Sequence, residues 1–380
     1  MDWRGGDHPA RAHRGCRVYR RRWRRCDERL HPERPLRRRV GPPHPGPGRG
    51  RRGMTAVAEH PAEPLVSVLI PAKDAAQWIP EQLAALDDQV DAPPFEVVIA
   101  DNGSTDGTPQ AALAGAHAFT VRVVDASGPS SASHGRNMAA RAARGRILLF
   151  CDADDLVGPA WVRSLTDAVA DDPSRIATGV LHHGRFNSPE VLAAYQIGPD
   201  PEVDELARPT AVKENPGGFA GHLPTVAGGN FAIHRSAYLA LGGMDAAYPG
   251  GAEETDFAWR AQQSGMRVVS VPQAVVHYRL KSELRSLFRQ QRIQQRGRIY
   301  PWTRYRDSPM QGPSLKGSAL EVVRGAAAFP ASRRDEGAQL AWSARVGAHV
   351  GALEGMVRYR RGLPDRRTRL LRRGRGRGTA

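Results

Sequence analysis

Cysteine is nearly absent: Cys16, Cys26 and Cys151 are all that the chain holds. Three thiols without paired spacing exclude a disulfide framework and a cysteine-based zinc site, and they suit a reducing compartment. Long apolar runs are missing too. No stretch approaches the ~20 apolar residues of a membrane-spanning helix, and residues 1–30 lack the apolar segment of a secretory signal. The expected location is therefore cytoplasmic, at most peripheral at the inner face of the plasma membrane. Aromatic residues are only 6% of the chain, yet 40% hydrophobic residues over 380 positions suffice for a substantial core.

Acidic residues are scarce at the two ends. Residues 1–53 carry 17 Arg against five acids, and residues 358–380 carry ten Arg against Asp365. Removing both from the net charge of +16 leaves −5 for residues 54–357. The part that folds is mildly acidic, so net charge does not draw it to an anionic polymer, and no specific nucleic-acid contact is expected. The first 53 residues, rich in Arg, Pro and Gly and without sustained periodicity, cannot bury enough apolar surface to offset the entropy of ordering. Two readings stay open for them: a disordered basic arm, or a non-native stretch ahead of a start at Met54.

From Leu65 the pattern changes. LVSVLIPA, FEVVIAD, TVRVVDA and RILLFCD read as four buried strands, and helical spacing between them includes Trp78, Ile79, Leu83 and Leu86. Alternation of strand and helix at this interval predicts an α/β fold with a mainly parallel sheet flanked by helices. Residues 180–225 lack periodicity apart from one helix near 189–196. MRVVSVPQAVVHYRL is expected to give a last strand pair. Residues 281–357 form a helical C-terminal extension, interrupted at Pro301 and Pro330, and a basic disordered tail fills 358–380.

Ligands of parallel sheets sit at the carboxyl ends of the strands, and the polar clusters fall there. Lys73 and Asp74 follow the first strand, Asp101, Asn102, Gly103 and Ser104 the second, and Asp152, Ala153 and Asp154 the fourth. On an extended backbone, residues two apart share a side, and paired carboxylates suit a hard divalent cation that also takes phosphate oxygens. Taken alone, Asp152 and Asp154 would read as a solvated acidic turn. Arg136 and Asn137, opening a helix upstream, can reach phosphate or ribose. Gly228, Gly229 and Asn230 precede an apolar strand and allow close backbone approach to a ligand. Glu253, Glu254 and Asp256 lead a helix, where acids either cap the dipole or, in a cleft, deprotonate an attacking hydroxyl. His277, after the last apolar strand, is a metal ligand or a satisfied buried histidine.

Together, VSVLIPAKD, IADNGSTDGT, GRNMAARAARGRILLFCDADD and GGAEETDFAWR, in this order, resemble the family-two glycosyltransferases over roughly residues 65–280. The resemblance implies a GT-A type, Rossmann-like mixed sheet in a catalytic domain at 64–280. It places Pro71, Ala72, Asp74, Asp101, Ser104, Arg136, Asn137 and Asp152 around the nucleotide, and Gly229 and Asn230 on the donor-sugar side. Asp154, Asp152 and His277 would hold Mg2+ or Mn2+. Two positions depart from the pattern: Asp74 stands where the family commonly has Glu, and the usual Glu-Asp pair is Glu253-Glu254. The base is thus expected at Glu254, with Glu253 and Asp256 in reserve.

The implied reaction is metal-dependent, inverting transfer of a hexosyl group from a UDP- or dTDP-sugar to a hydroxyl acceptor. The expected setting is synthesis of cell-envelope polysaccharide, glycolipid or glycoconjugate. A lipid-linked acceptor would be met where the C-terminal tail touches an anionic membrane. The alternatives are a catalytically impaired nucleotide-sugar-binding protein and a basic-tailed nucleic-acid binder.

Overall fold

The computed structural model describes residues 65–208, 213–215, 217–248, 250–333, 335–359 and 370–371. Residues 1–53, Met54 and all of the 358–380 tail except residues 358, 359, 370 and 371 lie outside the described residues. The chain first runs β1 (Val66–Ala72), α1 (Ile79–Asp87), β2 (Phe95–Asp101), α2 (Thr108–Ala112), β3 (Thr120–Asp125), α3 (Ala132–Ala142) and β4 (Ile147–Cys151). It continues β5 (Leu156–Val157), α4 (Trp161–Val169), β6 (Arg175–His182), α5 (Pro189–Tyr195), β7 (Lys213–Glu214), β8 (Asn230–His234) and α6 (Arg235–Ala240). Last come α7 (Glu253–Gln263), β9 (Arg267–His277), α8 (Leu284–Arg304), α9 (Leu315–Ser332) and α10 (Glu336–Tyr359).

One mixed sheet has the order β3-β2-β1-β4-β8-β6-β9-β5, with β7 pairing β9. The first four strands are parallel, with Val66–Ala72 in register with Phe95–Asp101 and Val66–Leu69 with Ile147–Phe150. β8 lies antiparallel to β4 and β6, while β9 is parallel to β6. The carboxyl ends of β1, β2 and β4 therefore share one edge, which becomes the candidate site.

The β-branched runs are buried on both faces. Val66, Val68 and Ile70 pack with Leu83, Leu86, Trp161 and Leu165 on one side. Leu69, Val98 and Phe150 pack with Phe231, Tyr238 and Phe257 on the other. Phe150 and Phe231, opposite each other in β4 and β8, stack with centroids 4.2 Å apart. At Gly145, between α3 and β4, a side chain would stand 2.6 Å from the backbone of Val66 and Ser67, so only glycine lets the two strands meet there.

The expected last strand pair is one long strand. β9 runs through Pro272, and the register with β6 shifts between Thr178 and Val180. A bulge absorbs the proline that the sequence pattern takes for a break. Pro301 and Pro330 likewise lie inside α8 and α9. Each falls in the last turn, where the missing N–H costs one hydrogen bond rather than a helix. The tail is tied down at one point: the Leu371 N–H donates to the Gly242 carbonyl at 2.7 Å, and its side chain joins the core around Phe150.

Candidate active site

The loops after β1 and β2 clasp each other. The Asp74 N–H donates to Ser104 Oγ (2.9 Å), Asp74 Oδ1 accepts from the Thr105 N–H (2.9 Å), and Asp106 Oδ2 accepts from the Ala76 N–H (2.9 Å). Asp101 Oδ1 accepts from the Ser104 N–H at 3.1 Å. Asp74 sits at φ 50°, a left-handed conformation that Asp tolerates when its short side chain bonds locally. Pro71 and the carbonyl of Ala100 floor this clasp, and Gly135 of α3 lies so close that a side chain there would be 3.0 Å from Pro71 Cβ. Pro71, Ala72, Asp74, Asp101 and Ser104 thus lie on two interlocked loops, next to the start of α3.

At the end of β4 the backbone turns at Ala153–Asp154 instead of staying extended. The two aspartates consequently take different partners. Asp152 Oδ1 accepts from Arg136 Nη2 at 2.6 Å, and Asp154 Oδ2 accepts from Lys281 Nζ at 3.2 Å. A third carboxylate, Asp155, is buried. Its Oδ1 accepts from the Arg279 N–H (3.0 Å) while Oδ2 has no partner. Burial, with the charges of Asp152 and Asp154, pushes its pKa up to about 8. Buried Gln82 splints this turn from α1, donating to the Asp152 carbonyl and accepting from the Val157 N–H.

Across the sheet, Gly228 and Gly229 bring α7 close. A side chain at Gly229 would stand 2.5 Å from Asp152 Oδ2, and one at Gly228 would touch both the Arg136 guanidinium and Glu254 Cβ at 3.5 Å. Glu254 is half-buried, and burial plus the charge of Glu253 pushes its pKa up to about 7. Glu253 Oε2 is enclosed without a hydrogen-bond partner. Arg136 joins the two halves. Burial alone would lower its pKa, but Asp152, Glu253 and Glu254 together hold it above the ordinary guanidinium value. Glu96 at the opposite end of the sheet behaves differently. Burial pushes it up, yet the Arg144 N–H, Ser67 and Arg122 outweigh that and leave it lowered. Two raised carboxylates, Asp155 and Glu254, thus belong to the candidate site, whereas Asp106 on the neighbouring loop is lowered by its bonds to Thr108 and Ala76.

Three expected site residues have other duties. Asn137 donates to the Met244 carbonyl (2.7 Å), and its Oδ1 accepts from Tyr238 Oη (2.8 Å) and the Met244 N–H (3.0 Å). Fully buried Asn230 accepts from Trp161 Nε1 and donates to the carbonyls of Val180 and Ala274, joining three parts of the sheet. Asp256, also fully buried, is bound by Arg260 Nε (2.8 Å), Tyr305 Oη (2.7 Å) and Arg304 Nη1 (3.3 Å). Each of these buried side chains is hydrogen-bonded within the fold, as buried polar groups generally are. His277 pairs with Leu156 across β9 and β5, two residues beyond Asp154, with its ring 6.0 Å from that of His182. Among the described residues, no three His, Cys, Asp or Glu side chains gather closely enough to hold a metal ion.

Gln82, Asp155, Arg279 and Lys281 join the site without being predicted by the sequence pattern. Arg279 lies between aromatic rings, 4.6 Å from Trp78 and 3.5 Å from Phe186, and also pairs with Glu81. The available signal was HYRLK, a basic run directly after a strand whose carboxyl end faces the acidic turn.

Residues 67–242 match the model of Glycosyl transferase family 2, and residues 208–282 match the N-terminal domain of galactosyltransferase. Over residues 67–242 the chain carries a glycosyl transferase family 2 domain. The chain is 32% identical over 115 residues to the uncharacterized glycosyltransferase YfnE of Bacillus subtilis (strain 168), covering 30% of this chain and 29% of that protein. It is 27% identical over 225 residues to validoxylamine A glucosyltransferase of Streptomyces hygroscopicus subsp. limoneus, covering 53% and 49%. The match thus spans half or less of these relatives' length. Mannosyltransferase PcManGT from Pyrobaculum calidifontis, solved in complex with GDP-Man and Mn2+, shares the GT-A fold at a TM-score of 0.51 and 22% identity, covering 78% of this chain and 87% of that one.

Proposed function

We propose that this glycosyltransferase moves a hexosyl group from a UDP- or dTDP-sugar to a hydroxyl acceptor, with inversion at the anomeric carbon. The observation that carries the reading is Arg136, which couples Asp152 on the nucleotide side to Glu254 on the acceptor side across Gly228 and Gly229. The interlocked loops bearing Asp74, Asp101 and Ser104 would seat the nucleoside. Glu254, with a pKa near neutrality, suits a base that must be ionised to act and yet basic enough to take a proton. The acceptor oxygen bonds to the anomeric carbon, the bond from that carbon to the diphosphate oxygen breaks, and the hydroxyl proton passes to Glu254. Asp256, held by three partners, is not proposed as the base.

Mg2+ or Mn2+ fits the donor set in kind. Asp152 and Asp154 are hard oxygen ligands, their charges add to burial in raising Asp155, and a cation, the Lys281 ammonium, already rests on Asp154. Asp154 and Asp152 would hold the ion, with His277 as a further candidate. When bound, it neutralises charge developing on the leaving diphosphate.

The proposed acceptor is presented at a membrane, lipid-linked and part of cell-envelope polysaccharide, glycolipid or glycoconjugate synthesis, on the inner face of the plasma membrane. No helix among the described residues is long and apolar enough to cross a bilayer. A panel of nucleotide sugars tests the reading. Donor hydrolysis should require added Mn2+ or Mg2+ and disappear in Asp154→Ala; hydrolysis that persists in Asp154→Ala without metal would sink it.

A further inference from the structure

Helix α9 is packed the wrong way round for a helix that faces water. Its buried residues are Ser318, Gly325 and Ser332, spaced by seven. Trp342 of α10 donates to the Gly325 carbonyl at 2.8 Å, and a side chain at Gly325 would stand 2.4 Å from Val346, so this seam accepts only small residues. Large apolar residues point outward instead. Leu320 and Val323, with Ala327 and Ala331 continuing the stripe at helical spacing, lie opposite the seam, and Leu320 and Val323 are 49% and 65% exposed. Of the nine exposed large hydrophobic residues among those described, six lie on α8, α9 and α10. Scattered apolar residues need no explanation, but this concentration does.

Charge identifies the cover. Residues 54–280 hold 15 Lys and Arg against 27 Asp and Glu, whereas residues 281–357 hold 13 against six. α8 contains six Arg and no acid. Arg292, Arg296 and Arg358, with Leu353, Val357 and one acid, Glu354, line an open groove of about 530 Å³ between α8 and α10; Glu354 pairs with Arg292 and Arg296, so the groove keeps a net positive charge. On α9 the one acid, Glu321, is neutralised by Arg324 and Arg345, which leaves Lys316 beside the outward stripe. A two-fold interface through α9 would set two such basic surfaces face to face. An apolar stripe flanked by cationic side chains matches an interfacial helix on anionic lipid.

We infer that the outer face of α9 lies on an anionic bilayer, with Leu320 and Val323 at the acyl boundary and the α8–α10 arginines at the headgroups. The inference deepens the membrane-facing acceptor of the proposed function and rests on it. The 18-residue helix would lie in the membrane plane for about 27 Å. The Arg-rich tail need not be the anchor, because Leu371 is fastened to Gly242 and the Phe150 core.

The test is flotation of the full chain with vesicles of phosphatidylglycerol and phosphatidylcholine, or of phosphatidylcholine alone. Flotation is expected with the anionic vesicles only, and the double variant Leu320→Glu, Val323→Glu should weaken it at least about tenfold. Far-UV circular dichroism and donor hydrolysis should not change, since both residues are exposed. If neither protein hydrolyses any donor while flotation follows this pattern, the catalytic reading fails and the surface stands. The inference is overturned if the variant floats like the parent, if neutral vesicles serve as well, or if the lipid-free chain sediments as a dimer that the variant dissociates.

Discussion

Arg136 Nη2 lies 2.6 Å from Asp152 Oδ1, and the same guanidinium is held by the charges of Glu253 and Glu254. One buried cation on α3 therefore balances carboxylates from the turn after β4 and from the start of α7. Replacing it with Ala would strand three acids, and removing one partner of a buried pair costs about 3–5 kcal/mol. Arg136→Lys keeps the charge and loses the planar fork. We expect the Lys variant to fold and to lose roughly a hundredfold in kcat/KM. Thermal melting and steady-state kinetics on the two variants separate these effects.

Glu254, proposed as the base, should set an acid limb in the rate. With its pKa raised to about 7 by burial and Glu253, a base at this position would be protonated, and so inactive, below neutrality. kcat/KM should rise with pH up to about 7 and then level. Glu254→Gln should abolish the limb and lower the rate by about 10²–10⁴-fold. A limb of unchanged position in the variant would move the base elsewhere.

Gly229→Ala probes the approach of β8 to the acidic turn. The added carbon would stand 2.5 Å from Asp152 Oδ2, forcing that carboxylate off Arg136. Displacement of about 1 Å at a reacting centre costs on the order of a hundredfold in rate. Gly198→Ala, where nothing lies within 4 Å, is the matched control and should change neither rate nor stability.

Asp256→Asn should separate fold from chemistry. Its carboxylate is fully buried among Arg260, Arg304 and Tyr305, so neutralising it costs about 3–5 kcal/mol of stability. The melting temperature should fall, while the pH profile of the remaining folded enzyme keeps the Glu254 limb. Loss of that limb in Asp256→Asn would return Asp256 to the list of bases.

What the sequence made legible follows from physical range. The four parallel strands are period-bearing apolar runs, so they could be read locally, as could the acidic turn after β4 and the acids opening α7. Duties decided at a distance could not. Asn137 and Asn230 sit within glycine-rich or polar motifs, and nothing local shows that Met244, Trp161 and Ala274 bond to them from far along the chain. Lys281 and Arg279 were invisible for the converse reason. They are unremarkable basic residues until β9 delivers them to Asp154 and Asp155.

The bond from Tyr305 to Asp256, with Arg304 reaching Asp256 and Asp245, means that the end of α8 completes the interior of α7. The catalytic half is therefore not a cassette that can be cut after Arg279. A chimera exchanging α8–α10 between relatives would carry away two partners of a buried carboxylate and leave the carboxylate behind. The unit that can be transplanted intact begins upstream of Asp245, so recombination within this fold should succeed at the β8 side of the sheet and fail at the sequence boundary near residue 280.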